Sequence, residues 1–216
     1  MGTVAKLLSM PIPQPQAYHN YADQREWLGI PYAANVLSNL PLLAVGIAGL
    51  SQNNRTPSRT LMNVGVIAAA LGSTYYHLAP DDRRLAWDRL GMSVALAGAL
   101  GSAAEESTSR SAARASGTAI ATLVANAAAI MWWQAMDDVR GYAATQGAAT
   151  LQYRQLAKRA PADARRRLMA LYWSNLLAKG CELLDRPIWN VTGELISGHT
   201  LKHLLFAVGF GLRELR

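Results

Sequence analysis

Of the four histidines in the 216-residue chain, His199 and His203 stand four residues apart, and His77 follows Ser73 at the same spacing. Four residues is about one helical turn, so each pair shares a helix face. Three neutral imidazoles with one position left open are the donor set of a catalytic zinc site, with Zn–N bonds of about 2.0–2.1 Å. The single cysteine, Cys181, excludes an intrachain disulfide and a Cys-rich zinc module, so a metal site here has to draw on His, Asp or Glu. His199-Thr200-Leu201-Lys202-His203 is not the H-E-x-x-H motif, because no glutamate lies between the histidines to act as base. The base then comes from another helix. Asp88 is the candidate, placed to take a proton from the attacking water, and Ser73 is the candidate donor to the oxygen of an attacked carbonyl. Each residue has a plainer reading alone: interfacial packing for the His pair, an ion pair with Arg84 or Arg89 for Asp88, helix packing for Ser73. Their joint pattern favours a site.

The elements that must position these residues are apolar and long. Only 16% of residues are charged against 51% hydrophobic, which excludes a disordered chain or a coiled coil. Runs of the length that crosses a bilayer occur at Ala33 to Leu50, Thr60 to Ala79, Ala86 to Ala103, Ser116 to Trp133, Arg167 to Leu184 and Leu195 to Leu212. A weaker run, Gly141 to Ala157, contains Gln146, Gln152 and Arg154. Counting it predicts an all-α integral membrane bundle of seven transmembrane helices over residues 33–212, with an N-terminal segment 1–32 and a tail 213–216. A soluble Ala-rich bundle is the alternative, but Leu61 to Leu71 and Ala119 to Trp133 lack a polar face. No internal repeat divides the chain. Pro11, Pro13 and Pro15 interrupt the short apolar run around Leu7, so no cleavable signal is expected.

The net charge of +7 does not read as nucleic-acid binding, because the basic residues lie between apolar blocks and are not interleaved with aromatics on one face. They read as topology signals. With seven spans, one side carries Arg55, Arg59, Arg110, Arg114, Arg154, Lys158, Arg159, Arg165, Arg166, Arg167, Arg213 and Arg216; the other carries Lys6, Arg25, Arg83, Arg84, Arg140 and Arg186. Twelve against six puts the N-terminus outside and the C-terminus in the cytoplasm. That orientation also brings Ser73, His77, Asp88, His199 and His203 to the outer ends of their spans, in one leaflet.

Other polar groups fit supporting roles. Asn35, Ser38 and Asn39 share a face of the first span, suited to interhelical hydrogen bonds that brace the site. Glu182 and Asp185 are placed either to orient a metal-bound imidazole through its second nitrogen or to pair with Arg186. His19 reads as an exposed loop residue, and Asn190-Val191-Thr192 as a chance match to a glycosylation sequon.

These blocks resemble the alkaline ceramidase family, seven-span membrane amidases within a wider group that includes the adiponectin-type receptors. The resemblance rests on Asn35-Val36-Leu37-Ser38-Asn39, Ser73-Thr74-Tyr75-Tyr76-His77, Asp88 and His199-Thr200-Leu201-Lys202-His203. Tyr21-Ala22-Asp23-Gln24-Arg25 and Glu182-Leu183-Leu184-Asp185-Arg186-Pro187 look like its bacterial branch. Order and spacing agree from about Tyr18 to Gly209, with little signature between the third and sixth spans. The resemblance implies a zinc hydrolase cleaving ceramide to a sphingoid base and a fatty acid, with His77, His199 and His203 on zinc, Asp88 acting on the water and Ser73 beside the scissile carbonyl. It also implies a bacterial inner-membrane protein with its zinc site on the periplasmic side. Eukaryotic members bind calcium through an acidic N-terminal segment; here only Asp23 and Glu26 remain as ligands, with Tyr32 where a further acid is expected, too few hard oxygens for a Ca²⁺ site.

The expectation is therefore a membrane zinc amidase acting on ceramide or a related long-chain N-acyl lipid, in contact with membrane lipids and implying no protein or nucleic-acid partner. The competing reading is a seven-helix receptor-like protein with a structural zinc, which calls for a signalling domain outside the spans. A metal transporter calls for ligands along both leaflets, and the cytoplasmic halves of the spans offer none in register.

Overall fold

The computed structural model describes residues 10–53, 55–107 and 112–214. Lys6, Arg110 and Arg216 of the charge count, and the run around Leu7, lie outside the described residues. Among the described residues the chain is helical and contains no strand. Each apolar segment falls on helix: α1 (Ala33–Leu37) and α2 (Leu40–Leu50) share the first, followed by α3 (Pro57–Leu78), α4 (Asp82–Ser107), α5 (Ala112–Met136), α6 (Arg140–Arg159) and α7 (Ala162–Leu183). After a short α8 (Asp185–Val191), the last segment is α9 (Gly198–Glu214). The ambiguous segment at 141–157 is thus a full helix of 20 residues, about 30 Å long. Two stretches, Ala33–Leu50 and Arg114–Met136, are long and apolar enough to cross a membrane.

The first segment differs from the continuous helix expected of it. Pro41 has no N–H to close a bond to the carbonyl of Leu37, and the chain turns at Ser38 and Asn39 between α1 and α2. Side chains complete the break: Asn39 Nδ2 and Ser38 Oγ both donate to the Asn35 carbonyl, at 2.9 and 3.0 Å. All three side chains remain buried, and Asn35 and Ser38 reach α9 at Thr200 and His203, the bracing contacts expected of them.

The helices close a ring. α2 packs on α3, α3 on α4, α4 on α6, α6 on α7, α7 on α9, and α9 returns to α2. α5 lies against α4 and α6, outside this ring. Thr56 caps α3 by accepting from the Arg59 backbone N–H, with Pro57 at the first helical position. The closest approach is between α3 and α4, where a Cβ on Gly98 would meet the backbone of Met62, and one on Gly65 the backbone of Ala95. This pair carries Ser73 and His77 on one helix and Asp88 on the other. Gly98→Val should force the two backbones apart at a cost of about 3 kcal/mol, the upper end for overpacking, because no flexible side chain is there to yield. A thermal midpoint in detergent unchanged from wild type would contradict this.

Both ends of the ring are closed. At one end the segment before α1 runs across the helix termini: Gln14 N–H donates to Asp137, the Val139 N–H to the Ile12 carbonyl, Gln16 Nε2 to Asp82, and the Ala22 N–H to Asp185. Beside it, hydrogen bonds from the Arg140 guanidinium hold the Asp138 carboxyl well below the usual carboxylate range. At the other end lies an ionic floor. Arg59 pairs with Glu214 at 2.7 Å, Arg213 with Glu106 and Ser102, and Thr56 donates to Glu105.

Candidate metal centre

His77 on the last turn of α3 and His199 and His203 on the first turns of α9 converge. Their candidate ligand atoms all lie within 4.8 Å of one another. All three side chains are buried, at 0, 2 and 3% exposure. His77 Nε2 faces His199 Nε2 at 3.2 Å. Two nitrogens bound tetrahedrally at about 2.0–2.1 Å stand about 3.3 Å apart, so this pair already has the separation a shared ion requires.

The second nitrogen of His203 is fixed. Ser38 spends its one hydroxyl hydrogen on the Asn35 carbonyl, so at 2.8 Å from His203 Nδ1 it accepts, and Nδ1 carries the proton. The lone pair of His203 therefore sits on Nε2, on the side of Ser73 Oγ at 3.4 Å. Thr200 Oγ1, one turn away, donates to Asn35 Oδ1 at 2.9 Å and ties α9 to α1. By donor type, burial and spacing the three histidines can hold a metal ion. Ser38→Ala should weaken metal binding about 10–100-fold, the usual cost of removing an outer partner of a ligating imidazole. Competition with a graded series of chelators measures it, and wild-type affinity in the variant would exclude the role.

Backbone contacts place the helix that carries two of these residues. Gly198, ahead of His199, abuts the Cys181 carbonyl, a space that any Cβ would fill. Ser197 Oγ accepts from the Thr200 N–H, and Asp185 Oδ1 accepts from the His199 backbone N–H at 2.7 Å while its other oxygen holds the Ala22 N–H at 2.8 Å. Asp185 thus supports the fold of the site; it neither orients an imidazole nor pairs with Arg186, which donates to the Asn20 carbonyl. Glu182 also stays away from the imidazoles. It accepts from Lys179, Lys202 and Tyr18 at 2.8, 2.8 and 3.0 Å.

Asp88 is 6% exposed and accepts no hydrogen bond from any described residue. The ion-pair alternatives do not occur: Arg84 pairs with Asp81, and Arg89 donates to Gln14 and lies over the rings of Trp133 and Tyr142. Asp88, Ser73, His203 and Lys202 instead line one cavity at the centre of the ring. The space between its walls, counting the open solvent at its mouth, is about 850 Å³, of which about 80 Å³ is open to the centre of a water molecule. Away from these polar residues it is walled by Leu42, Val66, Ala69, Met92, Ala95, Leu96, Ala99, Phe206 and Phe210. Asp88 and Ala99 both touch it, eleven residues apart on α4, which is about 16 Å of helix. Gln146, Thr150 and Asn175, half-buried, line it from α6 and α7.

Tyr21 covers the histidines from the closed end, its ring centroid 4.8 Å from that of His77 and 4.3 Å from that of His199. Burial pushes its hydroxyl far above the ordinary range, so it stays a donor, to Tyr76 at 2.7 Å. His19 is not the exposed residue expected: its side chain is 11% exposed and bridges Tyr76 and Asp82. The acids proposed for calcium are otherwise engaged or scattered. Arg25 binds both oxygens of Asp23, at 2.9 and 2.7 Å, and Glu26 is exposed.

Two residues of the site had no role assigned from sequence. Lys202 was legible, since a lysine inside an apolar span is costly and points to a buried partner. Tyr21 was not, because nothing in a loop sequence says which way it folds over a bundle. No family model matches the chain, and no curated protein matches it.

Proposed function

We propose that the chain is a zinc-dependent integral-membrane amidase of the alkaline ceramidase type, hydrolysing the N-acyl bond of ceramide or a related long-chain N-acyl lipid to a sphingoid base and a fatty acid. The observation that carries this reading is a cluster of three buried imidazoles, one of which, His203, lines a long, mostly apolar cavity together with a carboxylate without hydrogen-bond partners, Asp88, and the Ser73 hydroxyl. His77, His199 and His203 would hold the metal, and three nitrogen donors suit zinc. A bound zinc would supply Lewis acidity, lowering the pKa of water towards about 7 and polarising the carbonyl.

The chain's own residues supply the rest. Asp88 Oδ takes the proton of the attacking water and returns it to the leaving amine nitrogen, which departs as the neutral amine. Ser73 Oγ–H donates to the carbonyl oxygen as negative charge develops there. Tyr21 excludes bulk water from the closed end, and the apolar walls take up the acyl chain. The unpartnered Asp88 favours hydrolysis over a purely structural metal, for which no such carboxylate is needed.

A membrane setting with seven spans, the N-terminus and metal centre periplasmic and the C-terminus cytoplasmic, is part of the proposal. It is supported by the charge asymmetry and by large apolar side chains exposed on the outward faces of the long helices, among them Ile47, Leu71, Trp87, Val124, Leu151, Trp173 and Val208. Buried Arg213, Glu214, Asp88 and Lys202 face the interior, as charges in a membrane bundle do. The test is release of fatty acid from ceramide by the detergent-solubilised, zinc-loaded protein, abolished by a chelator and restored by zinc. Failure of the folded, metal-loaded protein to cleave ceramide or any other N-acyl lipid would overturn the reading. A C-terminal reporter should report cytoplasm; a periplasmic signal would reverse the topology.

A further inference from the structure

Burying a secondary amide next to the histidines leaves two polar groups to satisfy, the carbonyl oxygen and the N–H. The carbonyl has Ser73 and the metal. The N–H needs an acceptor, and Asp88 is engaged with the water. Among cavity-lining residues two buried side-chain oxygens stand without a partner, the Tyr153 hydroxyl and Oδ1 of Asn39; of the two, only the Asn39 oxygen is purely an acceptor, on a side chain 2% exposed in the turn beside His203. Its amide orientation is set, because Nδ2 donates to the Asn35 carbonyl at 2.9 Å and leaves Oδ1 as the free end. Asn39 follows Ser38, the residue bonded to His203, so this acceptor belongs to the same turn that fixes the imidazole. A lone buried acceptor on the wall of a mostly apolar cavity is costly unless something completes it.

We propose that Asn39 Oδ1 receives the N–H of the substrate amide and makes the site selective for secondary amides over esters and N-alkylated amides carrying the same acyl chain. This deepens the amidase reading and rests on it for the identity of the ligand. An ester puts an oxygen lone pair, and a tertiary amide a methyl group, where the N–H would be. Each leaves Asn39 unsatisfied, and sites built to hydrogen-bond a ligand reject analogues lacking the group far more strongly than apolar pockets reject a missing methylene.

The experiment is rapid-mixing displacement of a fluorescent long-chain probe from the full-length protein in detergent, read before turnover. The competitors are palmitoyl ethanolamide, its N-methyl tertiary amide and the corresponding glycol monoester. Wild type should bind the secondary amide at least about tenfold more tightly than either analogue. In Asn39→Ala that gap should shrink to within about twofold, with affinity for the tertiary amide unchanged. Equal binding of the three ligands by wild type overturns the proposal whether or not the variant folds. A gap that persists in a folded Asn39→Ala also overturns it, since the acceptor then lies elsewhere. N–H-dependent binding without cleavage would uphold the Asn39 assignment and remove the amidase reading; cleavage without N–H dependence would do the reverse.

Discussion

His199→Ala is expected to purify with almost no metal, whereas the wild type prepared in the same detergent should carry about one zinc per chain. The three imidazoles form a nearly equilateral triangle, with the His199 ring 4.9 Å from that of His77 and 4.8 Å from that of His203, and those two 5.1 Å apart. The two that remain belong to different helices, and two nitrogens are too few for a stable open site. Elemental mass spectrometry on matched preparations reads the result directly. Full metal occupancy in the variant would mean that the ion sits elsewhere, and a folded wild type that binds no metal would reduce the three histidines to packing residues.

Asp88→Asn should separate chemistry from binding. The substitution keeps the shape and takes away the ability to accept a proton, so hydrolysis should fall by about 10²- to 10⁴-fold, the range a positioned general base contributes. Because Asp88 is not among the ligands, zinc content should stay at the wild-type level. Retained activity would remove Asp88 from the mechanism, and joint loss of zinc and activity would recast it as a structural neighbour of the metal.

Much of the centre was legible because its residues obey helical spacing. The four-residue interval of His199 and His203 survives folding unchanged, and Asp88 is conspicuous as an acid at the head of an apolar run. What could not be read was contact between elements. Asp185 and Glu182 bond to none of the imidazoles: Asp185 holds the backbone N–H groups of His199 and Ala22, and Glu182 holds two lysines and Tyr18, a distinction set by where α9 begins against the end of α7. The turn at Ser38 had a signal in Pro41. Its consequence, that Ser38 rather than an acid selects the tautomer of His203, needed the packing of α1 on α9. Seven apolar segments of similar appearance also gave no sign that α5 would lie outside the ring and contribute nothing to the cavity wall.

The closure of the ring at both ends has a kinetic consequence. With the N-terminal segment and Tyr21 over one end and the Arg59–Glu214 and Arg213–Glu106 pairs across the other, a substrate of the proposed amidase must reach Asp88 sideways, between the helices. If the chain is the membrane amidase proposed, the quantity that governs turnover is then the mole fraction of substrate within the lipid film, a two-dimensional concentration. Adding inert detergent or phospholipid at constant total substrate should slow the reaction in proportion, while diluting the whole suspension with buffer should leave the rate per enzyme molecule almost unchanged.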